Sequence, residues 1–182
     1  MDHVLLDTTF PELKLVQLQQ EHSDEIYNLT IANYQHLRQW LPWVDSIHSS
    51  KDTETFIHYY ETKFQLKTGI QFGLHYKNIF IGVIGVDIII NNHIGSIGYW
   101  IGEKYQGNRF TTTACQSLIE YCFNSLEINR IEIRCALENG SSNAIPKKLG
   151  FTFEGILRES EYLYDRYHDL NIYSLLRKDR ND

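Results

Sequence analysis

From Ile79 to Ile90 the chain is almost continuously apolar, and this stretch constrains the fold more than any other. A strand with apolar side chains on both faces must be covered on both faces. The stretch therefore predicts a central strand of a sheet. Strands near 70–76 and 95–102 flank it, across turns at Lys77-Asn78 and Asn91-Asn92, which predicts an antiparallel meander.

The rest of the chain alternates between helical and strand spacing. The pattern predicts strands over 12–19, 131–137, 151–164 and 168–177, and helices from Ser23 through Tyr34 and over 52–67, 114–126 and 142–149. The order βααβββαβαββ is that of a mixed α+β fold, in which one mostly antiparallel sheet carries helices on both faces. Because no repeat or linker divides the sequence, we expect a single domain over residues 1–182.

Composition excludes several classes of function. The net charge of −6 argues against a nucleic-acid partner, since such binding depends on Lys and Arg that neutralise phosphates. No apolar run approaches the roughly 20 residues of a membrane span, and the first residues lack a leader pattern, so we expect no membrane partner and a cytoplasmic location. Cys115, Cys122 and Cys135 are odd in number without metal-ligand spacing, which indicates buried thiols and no metal site.

The segment from Tyr99 to Thr113 reads as a strand, a polar loop with glycine and a helix start. Such a loop directs free backbone N–H groups and the positive end of the helix dipole at one point, which suits an anion such as a pyrophosphate. As spacing alone the signal is weak, because every helix start has free N–H groups.

Three blocks, in order, resemble the GNAT superfamily of N-acetyltransferases. Gln106 to Thr111 is similar to the acetyl-CoA loop, and Asn139-Gly-Ser-Ser142 followed by Gly150-Phe151 is similar to the second motif. The segment from Glu161 to Tyr173 and the early Trp40-Leu-Pro-Trp43 resemble the Rim-type ribosomal-protein branch. The resemblance implies the GNAT fold with a splayed strand pair, and acetyl transfer from acetyl-CoA to a primary amine without a metal.

The resemblance also implies a role for individual residues. Glu161 is implied as the general base and Ser142 as the proton donor to the departing thiolate, while Trp40 and Trp43 would line the acceptor site. The acetyl-CoA site would consist of Tyr99, Ile101, Gln106, Gly107, Asn108, Arg109, Phe110, Thr111, Thr112, Asn139 and Ser142. Attack in a ternary complex is expected, with the Ile101 N–H facing the carbonyl oxygen.

Two features depart from the superfamily pattern. Arg109 and Thr111 stand where the loop motif has glycine, then glycine or alanine. A positive φ at Arg109 would cost roughly 1–2 kcal/mol, so we favour a negative φ there, with the guanidinium on a CoA phosphate. Pro146 stands where many members have the proton-donating tyrosine, which leaves that role to Ser142 unless Ser142 only caps its helix.

The acceptor stays open at this level. A protein N-terminus is favoured, a small amine such as an amino acid, polyamine or amine antibiotic is the alternative, and a catalytically silent acyl-CoA-binding domain is a third. His168 beside Asp169 is interpreted as structural, because adjacent strand residues point to opposite faces. Tyr162, Tyr164 and Tyr167 suggest a homodimer surface, since aromatic residues are enriched in interfaces.

Overall fold

The computed structural model describes residues 3–180, and in this range one eight-stranded sheet is flanked by five α-helices. The strands are β1 (Leu5–Asp7), β2 (Leu13–Gln17), β3 (Gly69–Tyr76), β4 (Ile79–Ile89), β5 (Ile94–Ile101), β6 (Arg130–Ala136), β7 (Thr152–Leu163) and β8 (Arg166–Leu176). The helices are α1 (Ser23–Ala32), α2 (Tyr34–Arg38), α3 (Ser50–Gln65), α4 (Phe110–Ser125) and α5 (Gly140–Lys148). The order across the sheet is β1-β2-β3-β4-β5-β6-β8-β7.

The apolar strand β4 lies inside the sheet, and its residues 80–86 are all buried. One core cluster joins the sheet to α4 through Cys115, Leu118 and Cys122. A separate cluster joins it to α1 and α3 through Ile26 and Ile57. Both faces of β4 are therefore covered by helices, as its apolar sequence predicted. The predicted fold class is confirmed.

The splayed strand pair is β5 and β6. These parallel strands pair only where Ile94 to Ser96 face Arg130 to Glu132. Beyond that point β5 continues to Ile101 and β6 to Ala136 without further pairing between them. The two strands therefore diverge and leave a gap in the middle of the sheet.

The first predicted helix is two helices. Asn33 interrupts it with φ −116° and ψ 18°, and α2 starts at the next residue, Tyr34. The Asn33 side chain accepts a hydrogen bond from the backbone N–H of Glu103 at 2.8 Å. The break thus ties α2 to the loop that follows β5, a long-range contact that helical spacing cannot reveal.

Other boundaries also differ from prediction. Strand β1 was not predicted; it pairs with β2 at the edge of the sheet. Helix α4 begins at Phe110, four residues before the predicted start at 114. Among residues 3–180, no helix is long and apolar enough to span a membrane.

The β7–β8 hairpin turns through Tyr164 and Asp165, whose φ angles are 48° and 63°. The strand predicted over 151–164 therefore ends one residue earlier, at Leu163, and the next begins at Arg166 instead of 168. Tyr162 and Tyr167 are exposed on the hairpin, with ring centroids 4.9 Å apart. Tyr164 instead lies under the guanidinium of Arg38. Two of the three tyrosines are thus free to meet a partner, and the homodimer stays a prediction.

Candidate active site

A cleft of about 590 Å³ fills the gap between β5 and β6 and extends to α2 and β7. Its volume lies within the range typical of ligand sites. The cleft is lined by most of the predicted site residues: Trp40, Tyr99, Ile101, Gln106, Gly107, Arg109, Phe110, Thr111, Thr112, Asn139, Ser142 and Glu161. Residues far apart in sequence therefore meet at one place.

The edge of β5 supplies free main-chain groups to this cleft. Gly102 donates its N–H to the Ile81 carbonyl of β4 at 2.9 Å. Because these groups alternate in direction along a strand, those of Ile101 and Tyr99 point the other way, toward the gap. An extended ligand can hydrogen-bond there as an additional strand would.

The loop before α4 has the backbone geometry that suits an anion. Gly107 and Arg109 both adopt left-handed backbone, with φ of 77° and 63°. The first helical bond runs from Thr113 N–H to the Arg109 carbonyl at 2.9 Å. The preceding N–H groups of the first turn therefore have no partner within the helix, and together with the helix dipole they favour a phosphate.

The expectation of a negative φ at Arg109 is wrong. Its φ is 63° and ψ 4°. The backbone therefore has the left-handed conformation that favours glycine at this position, although the residue here is arginine. The left-handed conformation brings Cβ close to the following carbonyl oxygen and costs roughly 1–2 kcal/mol. The loop therefore keeps its shape at the expense of local strain.

Arg109→Gly is expected to raise the free energy of unfolding by about 0.5–1 kcal/mol, because glycine enters the left-handed region without that clash. Urea denaturation measures the change. Asn108→Gly is the comparison variant, since Asn108 is not among the residues with positive φ. It makes the unfolded chain more flexible and also removes two side-chain hydrogen bonds to the loop, so it is expected to lose stability. A loss of stability in Arg109→Gly as large as in the comparison variant contradicts this account.

Ser142 is not the cap of α5. The cap is Asn139, whose Oδ1 accepts the Ser142 N–H at 3.0 Å and the Ser141 hydroxyl at 3.0 Å. The Ser142 hydroxyl is left to face the cleft, where it lies 3.3 Å from the Tyr99 hydroxyl and 3.2 Å from Cys135 Sγ. The interpretation of Ser142 as only a helix cap is therefore wrong.

Tyr99 and Cys135 surround the Ser142 hydroxyl with neutral groups. Burial raises the pKa of the Tyr99 phenol and of the Cys135 thiol above their ordinary values. The Tyr99 hydroxyl also donates to the Ser142 carbonyl at 3.2 Å. Both side chains therefore stay protonated and orient the serine hydroxyl without acting as bases.

Glu161 reaches the cleft from β7, directly opposite His168 on β8. Register shifts between Leu157 and Glu161, and a bulge of this kind redirects the side chains that follow it. Burial raises the pKa of the Glu161 carboxyl, and the nearby His168 acts in the opposite direction. A carboxylate with a raised pKa in a cleft is a suitable general base.

Comparison with known proteins identifies the family. The acetyltransferase (GNAT) domain family matches residues 12–152. The chain belongs to the GNAT acetyltransferases. It is 32% identical over 163 residues to the ribosomal-protein-serine acetyltransferase of Escherichia coli K12, with 89% of this chain and 91% of that protein covered.

Two solved GNAT structures share the fold over nearly their whole length. RimL, a ribosomal L7/L12 α-N-protein acetyltransferase in complex with coenzyme A, superposes with a TM-score of 0.92 at 26% identity, covering 97% of this chain and all of that one. MccE, the microcin C7 self-immunity acetyltransferase in complex with acetyl-CoA and AMP, gives 0.87 at 31%, covering 92% and 93%. The expected family and its co-substrate class, acetyl-CoA, are therefore confirmed.

Two predicted positions lie away from the lining of this GNAT cleft. Asn108 is exposed, and its side-chain amide donates to the carbonyls of Tyr105 and Gln106 in the preceding loop at 3.2 and 3.1 Å. Trp43 packs on Trp100, with ring centroids 5.9 Å apart. Both residues thus support the walls of the cleft, while Trp40 lines it directly.

Several residues that line the cleft carry no specific signal in the amino-acid sequence. His36 of α2 lies 2.7 Å from the Gln106 side chain, which ties the phosphate loop to the acceptor side. Arg134 and Lys148 add two cations to the lining. Single basic residues on a strand and a helix resemble ordinary surface residues, so only the fold shows that they meet the cleft.

A group that could suggest a metal lies elsewhere. Ligand atoms of His22, Glu25 and His75 approach within 4.8 Å of one another. However, Nδ1 of His22 accepts the Gln19 N–H at 3.0 Å, so in the neutral ring the other nitrogen carries the proton. That nitrogen has no lone pair for a metal, and we assign none to this cluster.

Proposed function

We propose that this GNAT protein transfers the acetyl group of acetyl-CoA to the α-amino group of a protein N-terminus, by direct attack in a ternary complex. The observation that carries the proposal is the cleft itself, where a strand edge, an anion loop, a serine hydroxyl and a carboxylate meet. The similarity to the ribosomal-protein-serine acetyltransferase supports a protein acceptor.

The residues present fit acetyl-CoA along its length. The N–H groups at the start of α4 suit its pyrophosphate, with Arg109 and Lys148 as nearby cations. The unpaired edge of β5 suits the amides of the pantetheine arm, and Asn139 lies at the end of β6 on the other side. This arrangement directs the thioester toward Ser142.

Glu161 removes the proton of the acceptor. An α-amino group has a pKa of about 8 and is mostly protonated at neutral pH, so it needs a base before its nitrogen can attack a carbonyl carbon. Glu161 is a carboxylate of raised pKa on the acceptor side of the cleft, near Trp40 in the lining. It accepts the proton directly or through one water.

Two groups stabilise the negative charge that develops on the carbonyl oxygen and on the departing sulfur. The Ile101 N–H, which points into the gap, stabilises negative charge on the carbonyl oxygen. As the carbon–sulfur bond breaks, the Ser142 hydroxyl donates a proton to the departing thiolate and regains one from the nitrogen of the intermediate, directly or through water, as the amide forms. The Tyr99 hydroxyl, the hydrogen-bond partner of Ser142, keeps it oriented at 3.3 Å.

A small amine is the second candidate for the acceptor. The likeness to MccE favours it, because the structure of that relative, at 31% identity, contains a small molecule, AMP, beside acetyl-CoA. The two candidates differ in size beyond the reacting amine. A protein N-terminus continues as a polypeptide that the protein can contact, whereas a small amine does not.

Incubation with acetyl-CoA and a matched panel separates these functions. The panel contains a serine-initiated hexapeptide, the same peptide with a blocked N-terminus, free amino acids and spermidine. We expect CoA release and a mass gain of one acetyl group only on the peptide with a free N-terminus. Acetylation of the small amines alone contradicts the proposal, and acetyl-CoA binding without release from any amine indicates a silent domain.

A further inference from the structure

A second cavity, the side cavity, adjoins the cleft at the acceptor end. It measures about 320 Å³ and is lined by Gln35, Arg38, Gln39, Trp40, Glu138, Tyr164 and Arg166. Trp40 lines both spaces, and Glu138 directly precedes the cleft residue Asn139. The two spaces are therefore neighbours on either side of Trp40, and a ligand bound in the cleft would reach the side cavity by extending past this side chain.

Arg38 is held rigidly in the wall of this cavity. Its Nε lies 2.8 Å and its Nη2 3.0 Å from the carboxylate oxygens of Asp45, which also accepts the Tyr34 hydroxyl at 2.8 Å. Its guanidinium carbon lies 3.8 Å from the ring centroid of Tyr164. The remaining nitrogen, Nη1, is not used by Asp45 and is a preorganised donor.

Arg166, at the start of β8, supplies further donors to the lining. Its Nε donates to Nε2 of His168 at 3.0 Å, which leaves the two terminal nitrogens for a ligand. Gln35 adds a side-chain amide to the same lining. The cavity is thus rich in hydrogen-bond donors held by two secondary-structure elements.

The charges of the wall nearly cancel. Asp45 neutralises Arg38, and Glu138 offsets Arg166 within the same lining. A cavity with many donors and little net charge suits a neutral ligand that offers many acceptors. The main chain of an extended polypeptide is such a ligand, because every residue carries a carbonyl oxygen.

We propose that the side cavity binds the backbone of the residues that follow the reacting N-terminal residue of an acceptor polypeptide, through donors of Arg38 and Arg166. This inference rests on the proposed function, since the α-amino group must lie in the cleft beside Glu161. A small amine does not extend to the side cavity, so these donors make the enzyme selective for polypeptides.

The proposal is tested by comparing a short and a long acceptor in the wild-type protein and in Arg166→Gln. The acceptors are serinamide and a serine-initiated hexapeptide amide with five alanines. Equilibrium binding to the CoA-loaded protein and kcat/KM for acetylation are both measured. We expect the hexapeptide to bind at least about tenfold more tightly than serinamide, and Arg166→Gln to remove about tenfold from the hexapeptide alone, the typical effect of losing a hydrogen bond to a charged group.

Arg158→Gln is the matched control, because Arg158 lies on the same hairpin but does not line the side cavity. Gln35→Leu, which removes an amide without touching the His168 contact, is expected to reproduce the length-dependent loss. An equal loss on both acceptors means that Arg166 acts through His168 and overturns the proposal. So does a hexapeptide that binds wild type no better than serinamide.

The charge of the acceptor peptide provides a further test, because it separates recognition of the backbone from recognition of anionic side chains. A hexapeptide with aspartate at its second and third positions is expected to bind within about threefold of the alanine peptide, since the wall is close to neutral. A gain of tenfold or more would mean that the cavity recognises anionic side chains, which overturns backbone recognition. If wild type binds the hexapeptide with the expected length dependence but acetylates neither acceptor, the proposed function fails while the binding site stands.

Discussion

Glu161→Gln is expected to lower kcat for acetyl transfer at least about a hundredfold, while the Kd for acetyl-CoA changes less than about twofold. Glutamine has nearly the shape of glutamate but cannot accept the proton that the ammonium group must lose before its nitrogen attacks, and a positioned base typically contributes 10²–10⁴-fold. Steady-state kinetics and calorimetry measure the two quantities separately.

The pH profile gives the same prediction a second readout. Because burial raises the pKa of the Glu161 carboxyl, the wild-type rate should fall on the acid side at a higher pH than an ordinary glutamate would cause. Glu161→Gln should lose that limb of the profile. Glu159→Gln, an exposed carboxyl two residues earlier, is the control and should keep both rate and profile. An unaffected rate in Glu161→Gln would remove this residue from the mechanism.

Thr111→Glu is expected to weaken acetyl-CoA binding roughly a hundredfold while making the protein more stable. At about 5 Å and an effective dielectric constant of about 40, a carboxylate opposes a doubly charged diphosphate by about 3 kcal/mol. The same carboxylate in the first turn of α4 interacts favourably with the helix dipole and should add about 0.3–1 kcal/mol to the free energy of unfolding.

Thr111→Gln is the matched control because it adds the same bulk without the charge. It should retain most of the affinity that Thr111→Glu loses, and its stability should stay near wild type. Equal affinity in the two variants would mean that the start of α4 does not face the diphosphate. Misfolding would lower both the affinity for acetyl-CoA and the stability. It therefore does not explain a variant that binds acetyl-CoA more weakly and yet is more stable.

Much of the fold could be predicted because its signals are local. The apolar run of β4 requires cover on both faces, and the strands on either side follow from turns that contain asparagine. The break at Asn33 was missed because its cause is a contact with Glu103, seventy positions away in the chain. Helical spacing continues through Asn33 without interruption.

The site was predictable only where a motif defines it. The loop and Asn139 could be placed by resemblance, but the backbone conformation of Arg109 could not, since the motif states which residue is usual and not which φ the loop requires. The contact between Ser142, Tyr99 and Cys135 joins three elements and has no sequence pattern. The side cavity depends similarly on how α2 meets the β7–β8 turn.

The most direct test of the central claim is isothermal titration of the wild-type protein with acetyl-CoA at two temperatures, which guards against an enthalpy that happens to be zero at one of them. We predict saturable binding of one molecule per chain, competed by CoA and weakened in Thr111→Glu. The absence of heat at both temperatures with saturating acetyl-CoA would contradict the anion site at the start of α4, and with it the proposed reaction.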